Sequence, residues 1–172
     1  MTFKECPPVD VLFVPGGTTG TIAAMEDPEC LEFLTSRADS ATHITSVCTG
    51  SLVLGAAGLL KGKRATSHWA VRDSILPLLG ATPVAARVVA DGKVITGAGV
   101  SAGIDLALSL MEKFTGTEMA KIMQLNIEYD PDPPFQAGSP ERAGADLTNQ
   151  LIGYYRPFLD EVERVARAAS RR

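Results

Sequence analysis

The chain has 172 residues, with 16 Lys and Arg against 20 Asp and Glu for a formal net charge of −4, and it is 45% hydrophobic and 6% aromatic. That is the size of one domain, residues 1–172, with enough apolar content for a core. A mildly acidic chain without a basic block lacks the charge that neutralises phosphates, which argues against nucleic-acid partners and polybasic membrane attachment. No run approaches the roughly 18 apolar residues of a membrane helix, and Lys4 and Glu5 stand where a signal peptide would be apolar, so a cytoplasmic location is expected.

Along the chain, the apolar run 9–14 closed by Pro15-Gly16-Gly17 reads as a strand buried on both faces that ends in a tight turn. Residues 21–25 and 28–38 read as helix, with Asp27 as N-cap, Pro28 at the first helical position, and Leu31 and Leu34 facing inward. A second strand spans 43–47, and helix-compatible Leu and Ala follow over 51–57, which puts Cys48 at a strand-to-helix turn. A short strand at 65–66 leads to a helix over 69–79 that ends at Gly80. Strands 87–90 and 93–96 flank Asp91-Gly92, a dipeptide suited to a two-residue hairpin turn. Helices are expected over 101–114, with Ile104, Leu106, Leu108, Leu110 and Met111 largely buried, over 117–128, and over 147–169. The proline-rich stretch 129–143 is expected to be a loop. Alternating strands and helices with short turns argue for an α/β sandwich with a mostly parallel sheet.

In such a sheet ligands bind beyond the carboxyl ends of the strands. Three turns fall there: Gly16-Gly17-Thr18, Cys48-Thr49-Gly50 and Gly97-Ala98-Gly99. A cysteine at the start of a helix lies in the positive end of the macrodipole, which favours thiolate, and a sharp turn exposes it. The backbone N–H groups of Thr49 and Gly17 could together hold a developing negative charge. On these residues alone Cys48 reads equally as a nucleophile or a buried core residue. Cys6 and Cys30 read as packing residues, since three widely spaced cysteines and two histidines make neither a disulfide framework nor a metal site. His68 reads more readily as a packed residue than as a base, His43 as exposed, Trp69 as core or pocket wall, and Asp105 as a buried hydrogen-bonding group. Gly16-Gly17 lacks the spacing of a dinucleotide fingerprint, and no cofactor is implied.

Val14-Pro15-Gly16-Gly17, Ser46-Val47-Cys48-Thr49-Gly50-Ser51, Ala65-Thr66-Ser67-His68-Trp69 and the run from Thr96 to Asp105 resemble the ThiJ/PfpI superfamily. Within it, residues 45–60 and the proline-rich segment 128–140 resemble the isonitrile hydratase branch. The resemblance implies a flavodoxin-like three-layer sandwich. It also implies that Cys48 is the nucleophile, that Gly17 and Thr49 supply N–H groups near the reacting atom, and that His68 lines the pocket with Gly16, Thr18, Gly50, Trp69, Gly97 and Gly99. The reaction implied is hydration of a small isonitrile to an N-substituted formamide through a thioimidate, without metal or organic cofactor and in a homodimer. Relatives acting on α-oxoaldehydes, and cysteine redox sensing, are the alternative readings. Relatives also begin with a further strand-helix unit that supplies an Asp or Glu to the cysteine. This chain is expected to lack that unit, with activity impaired accordingly, as a fragment or with its bare strand edge covered by another copy. Glu26 and Asp27 are the local carboxylates, and both read as helix-capping residues.

Overall fold

The computed structural model describes residues 2–171. The apolar run forms strand β1 (Val11–Val14), which pairs in parallel with β2 (His43–Val47), Val11 opposite His43 and Val14 opposite Ser46. On the far side of β2 lies β6 (Val94–Gly97), also parallel, with Ile44 opposite Val94. Strand β5 (Val88–Asp91) completes the sheet as the antiparallel edge, in the order β1-β2-β6-β5. Two short strands, β3 (Arg64–Ala65) and β4 (Thr82–Pro83), form a separate parallel pair.

Side chains alternate across the sheet, and this divides the molecule into layers. Leu12, Val14, Ile44 and Val94 join the main core. It is completed by residues of α1 (Thr19–Glu26), α2 (Pro28–Ala38), α3 (Gly50–Ala56), α4 (Trp69–Ile75) and the long α8 (Ala145–Ala169), among them Met25, Leu34, Leu52, Val71 and Val162. Over β2, β5 and β6 lies α5 (Ala102–Thr115), with Leu106 and the Val47 methyls against Gly97. Beyond α5 runs α6 (Thr117–Asn126), and a short α7 (Pro140–Ala143) precedes α8.

Several expectations shift by a residue or a face. The hairpin turn is Gly92-Lys93 rather than Asp91-Gly92, because Asp91 pairs with Val94 and its carboxylate accepts the Arg64 N–H at 2.8 Å. Only Gly92, at φ 63°, needs the left-handed region. The helix expected over 69–79 tightens after Ile75 into a 3₁₀ turn, since Pro77 has no N–H to continue the ladder, and Gly80 closes it at φ 80°. The 129–143 loop contains α7. On α5 only Ala102 and Leu106 are buried, while Ile104 is 40% exposed. The outer side of α5 packs against α6, and Phe114, Met119, Ile122 and Leu125 of this pair face outward. Among the described residues, strand β1 pairs only with β2 and forms the other edge of the sheet. An apolar groove of about 410 Å³, lined in part by Phe3, Phe13, Cys30 and Phe33, runs beside that edge. No helix among the described residues is long and apolar enough to cross a membrane.

Candidate active site

Beyond the carboxyl ends of β1, β2 and β6 the chain makes three turns that meet at Cys48. The residue stands at φ 57°, a left-handed conformation that costs a non-glycine residue about 1–3 kcal/mol. Both of its peptide groups are tied down. Its N–H donates to the carbonyls of Ala98 and Gly97, at 2.7 and 3.1 Å. Its carbonyl accepts the hydroxyls of Ser67 and Ser51, at 3.0 and 3.2 Å, and both serines are fully buried. Because the peptide is planar and trans, fixing the Cys48 carbonyl also fixes the Thr49 N–H on the opposite side of the same plane. Two glycines let the turns approach: a Cβ on Gly16 would lie 2.7 Å from Cys48 Cβ, and one on Gly50 would lie 2.2 Å from the Val14 carbonyl oxygen.

Burial pushes the Cys48 thiol up from its ordinary value, while the Thr49 N–H and hydroxyl pull the other way and do not offset it. Burial thus opposes the thiolate expected from the helix start. The helix that begins there, α3, has only seven residues, and desolvation outweighs the donors it presents.

Thr49 is buried and caps no helix N–H with its side chain. Its hydroxyl instead bonds the Gly16-Gly17 turn. The Gly17 N–H donates to Thr49 Oγ1 at 2.9 Å, the hydroxyl lies 2.7 Å from the Gly17 carbonyl oxygen, and Thr21 Oγ1 lies 2.8 Å away. This corrects one expectation: the Gly17 N–H is committed to Thr49 Oγ1 rather than free to point at a reacting atom.

The cavity over Cys48 is about 460 Å³ and mostly apolar, walled by Val47, Val100, Tyr155 and Phe158, with Gly16, Gly17, Thr18, Thr49 and His68 at its polar side. His68 caps α4, its Nδ1 accepting the Ala70 N–H at 3.3 Å. That bond assigns the ring proton to Nε2, and burial lowers the pKa further, so the ring is neutral. It stacks near Trp69 and meets Tyr155 edge-on, with centroids at 5.5 and 5.9 Å. Trp69 and Gly99 do not line the cysteine cavity; with Arg72, Arg87 and Ser101 they line a larger neighbouring one on the far side of His68. Gly97 and Gly50 are buried supports rather than lining. Asp105 pairs with Arg87 and accepts the Tyr129 hydroxyl at 3.2 Å, tying the proline-rich loop to α5.

Neither local carboxylate serves the cysteine. Glu26 binds Arg164 at 2.8 Å, Asp27 accepts the Glu29 N–H at 2.9 Å as the cap of α2, and no carboxylate acts on the Cys48 thiol among the described residues. Nor do three or more His, Cys, Asp or Glu side chains converge there as a metal-holding group. The residues missed by sequence reasoning are Tyr155 and Phe158 of α8, Val100, and the hydroxyls of Thr21, Ser51 and Ser67. The α8 pair had a signal: Tyr155, Phe158, Val162 and Val165 recur at helical spacing, so one apolar stripe runs from the core to the cavity.

Comparison with known proteins agrees with this geometry. The chain is 50% identical over 171 residues to the isonitrile hydratase of Pseudomonas putida, covering 99% of this chain and 74% of that one. It superposes with a TM-score of 0.92 on the crystal structure of a ThiJ/PfpI family protein from Pseudomonas syringae, at 50% identity over 95% of this chain and 68% of that one. It is also 32% identical over 113 residues to the Parkinson disease protein 7 homolog of Danio rerio, covering 66% of this chain and 60% of that one. The sheet and its helix layers match the flavodoxin-like sandwich of these structural neighbours. With the DJ-1/PfpI family matching residues 2–113 as well, the chain belongs to the DJ-1/PfpI family.

Proposed function

We propose that the chain hydrates small apolar isonitriles to N-substituted formamides, with Cys48 as the nucleophile. The observation that carries this is the strained Cys48 at the floor of a 460 Å³ apolar cavity, in a chain half identical over nearly its whole length to an isonitrile hydratase. An isonitrile has no charge and one small electrophilic carbon that also holds a lone pair. It suits an apolar chamber with donors at a single point.

The raised thiol pKa is no obstacle to this chemistry. In a 1,1-addition the sulfur bonds the terminal carbon and the S–H proton ends on that same carbon, so R–N≡C and the Cys48 thiol give R–N=CH–S–Cys48 with nothing left over. The Thr49 N–H and hydroxyl stabilise the sulfur as its proton leaves. Water then adds to the thioimidate carbon, the C–S bond breaks, the thiol regains a proton, and the formamide R–NH–CHO departs. Neither step requires a metal or an organic cofactor. Neutral His68 serves as wall and Nε2–H donor rather than as base. On this reading the working unit is a homodimer, supported by the outward apolar side chains of α5 and α6.

The test offers n-butyl isonitrile to the purified chain and to Cys48→Ala, with N-butylformamide followed by NMR and methylglyoxal run in parallel. Formamide from the parent and none from Cys48→Ala supports the assignment. Hydration that survives Cys48→Ala, or consumption of methylglyoxal alone, overturns it. Rapid conversion of Cys48 to the sulfinate under mild peroxide with no turnover of either compound would favour the sensor reading.

A further inference from the structure

Ser67 is fully buried in the segment that leads from β3 into α4, and its one hydroxyl proton goes to the Cys48 carbonyl at 3.0 Å. Ser51, equally buried on the first turn of α3, gives its proton to the same oxygen at 3.2 Å. A carbonyl oxygen has two lone pairs, and here both are taken by hydroxyls. The peptide held in this way joins Cys48 to Thr49, and its other polar group is the Thr49 N–H. No backbone carbonyl takes that N–H among the described residues. In a trans peptide the N–H points opposite to the carbonyl. With the carbonyl turned inward onto two buried serines, the Thr49 N–H turns outward, toward the cavity that Cys48 and Thr49 line.

We propose that Ser67 is a positioning residue whose hydroxyl, through the Cys48 carbonyl, aims the Thr49 N–H at the reacting atoms and strengthens it as a donor. Two effects act through the one hydrogen bond. The first is geometric. Cys48 holds a left-handed conformation that a non-glycine residue keeps only where its surroundings over-determine it. The Gly97 and Ala98 carbonyls hold its N–H side, while on its carbonyl side Ser51 is a local contact three residues on, so Ser67 is the tie to a distant segment. The second effect is electronic. A donor on a carbonyl oxygen draws density through the C–N bond, and the N–H of that peptide becomes a stronger donor, as in any polarised chain of hydrogen bonds. Negative charge developing at the Cys48 sulfur, or at a carbon bonded to it, meets that N–H. Ser67 does not line the cysteine cavity, so it acts there only through the peptide. This inference rests on the reading of Cys48 as the reactive thiol but not on the identity of its substrate.

The experiment compares Ser67→Ala and Ser51→Ala, each of which removes one donor from the carbonyl, with the double variant and with Ser46→Ala. Ser46 is the control: it is as fully buried, two residues before Cys48, and its hydroxyl has no hydrogen-bond partner. Folding is checked by circular dichroism, and two readouts are taken: kcat and KM on n-butyl isonitrile, and alkylation of Cys48 by iodoacetamide against pH, followed by mass spectrometry of its peptide. Outright loss of an oxyanion donor costs about a hundredfold or more, and a donor weakened and loosened costs less. In Ser67→Ala kcat therefore falls about tenfold with KM unchanged, and the alkylation midpoint rises by about half a pH unit, roughly a threefold loss of thiolate below it. Ser51→Ala moves both in the same direction, the double variant falls further than either, and Ser46→Ala keeps the parent values. A folded variant of Ser67 or Ser51 with the parent kcat and midpoint overturns the proposal. So does an equal loss in Ser46→Ala, or a loss carried by KM instead of kcat. A parent chain that turns over no isonitrile, yet shows the shifted midpoint in the Ser67 and Ser51 variants alone, overturns the hydratase reading and upholds the role of Ser67.

Discussion

Replacing Gly50 by Ala sets two physical effects against each other. Gly50 is the first residue of α3, and by helix propensity alone the exchange stabilises by up to about 1 kcal/mol. The surrounding backbone opposes it. An ideal Cβ would lie 2.2 Å from the Val14 carbonyl oxygen and 2.8 Å from that of Pro15, where close carbon–oxygen contacts run at about 3.3 Å. The start of α3 must therefore retreat by about 1 Å from the end of β1. Overpacking of this kind costs about 1–3 kcal/mol, and more when only backbone can yield. The net effect is a loss of about 2 kcal/mol, or about 4–8 °C in melting temperature for a chain of this size. Activity suffers further, because the same displacement draws Cys48 and Thr49 away from the Gly16-Gly17 turn. Gly153 is the control: it is exposed in the interior of α8 with nothing within 4 Å of its would-be Cβ, so Gly153→Ala raises the melting temperature by about 2–4 °C. Calorimetry on both variants decides the matter. A Gly50→Ala protein that melts above the parent refutes the close packing of α3 on β1.

Three further outcomes follow from the site and the surface. Because burial raises the Cys48 thiol, its alkylation by iodoacetamide climbs with pH to a midpoint above the ordinary thiol range of about 8.5, and a midpoint below 7 contradicts that electrostatic balance. Phe158→Ala removes one wall of the cavity, so KM for n-butyl isonitrile rises severalfold while a bulkier cyclohexyl isonitrile is better accommodated. Equal losses on both would show that Phe158 serves only the core. Ile122→Glu with Leu125→Glu places two carboxylates on the outward face of α6, and on the proposed homodimer reading sedimentation velocity reports a dimer for the parent and a monomer for this variant. Unchanged sedimentation removes that face from the interface.

What the sequence made legible was local. Strand β1 follows from its apolar run, although the burial expected on both faces fails because β1 is an edge strand with Phe13 52% exposed. Helix α2 follows from Asp27 and Pro28, and the hairpin from a glycine that can take positive φ. Cys48 at a strand-to-helix turn was legible for the same reason. What escaped were relations between distant segments. The commitment of the Gly17 N–H to Thr49 depends on a contact 32 residues apart, and the Ser67 hydroxyl reaches the Cys48 carbonyl across 19. Tyr155 and Phe158 arrive at the cavity from the far end of the chain. The outer face of α5 looked internal because its apolar residues fit a helical stripe. That stripe marks a surface needing cover, without saying whether the same chain provides it.

These long-range contacts share one chemical feature. Every buried polar side chain identified in the core is a hydroxyl: Thr21, Thr45, Ser46, Thr49, Ser51, Thr66, Ser67 and Thr96. Five of them act at or beside the cysteine turn or the strand end beneath it, and none brings a fixed charge. A carboxylate or an ammonium in the same place would need its own partner to offset desolvation, and would hold the thiol in one protonation state throughout the cycle. A hydroxyl both donates and accepts and reverses by rotating one bond. The proposed 1,1-addition asks the sulfur to begin neutral, become anionic as it attacks and end in a neutral thioimidate. Surroundings built of hydroxyls suit that sequence, because they can follow each change without bringing a second fixed charge into the site.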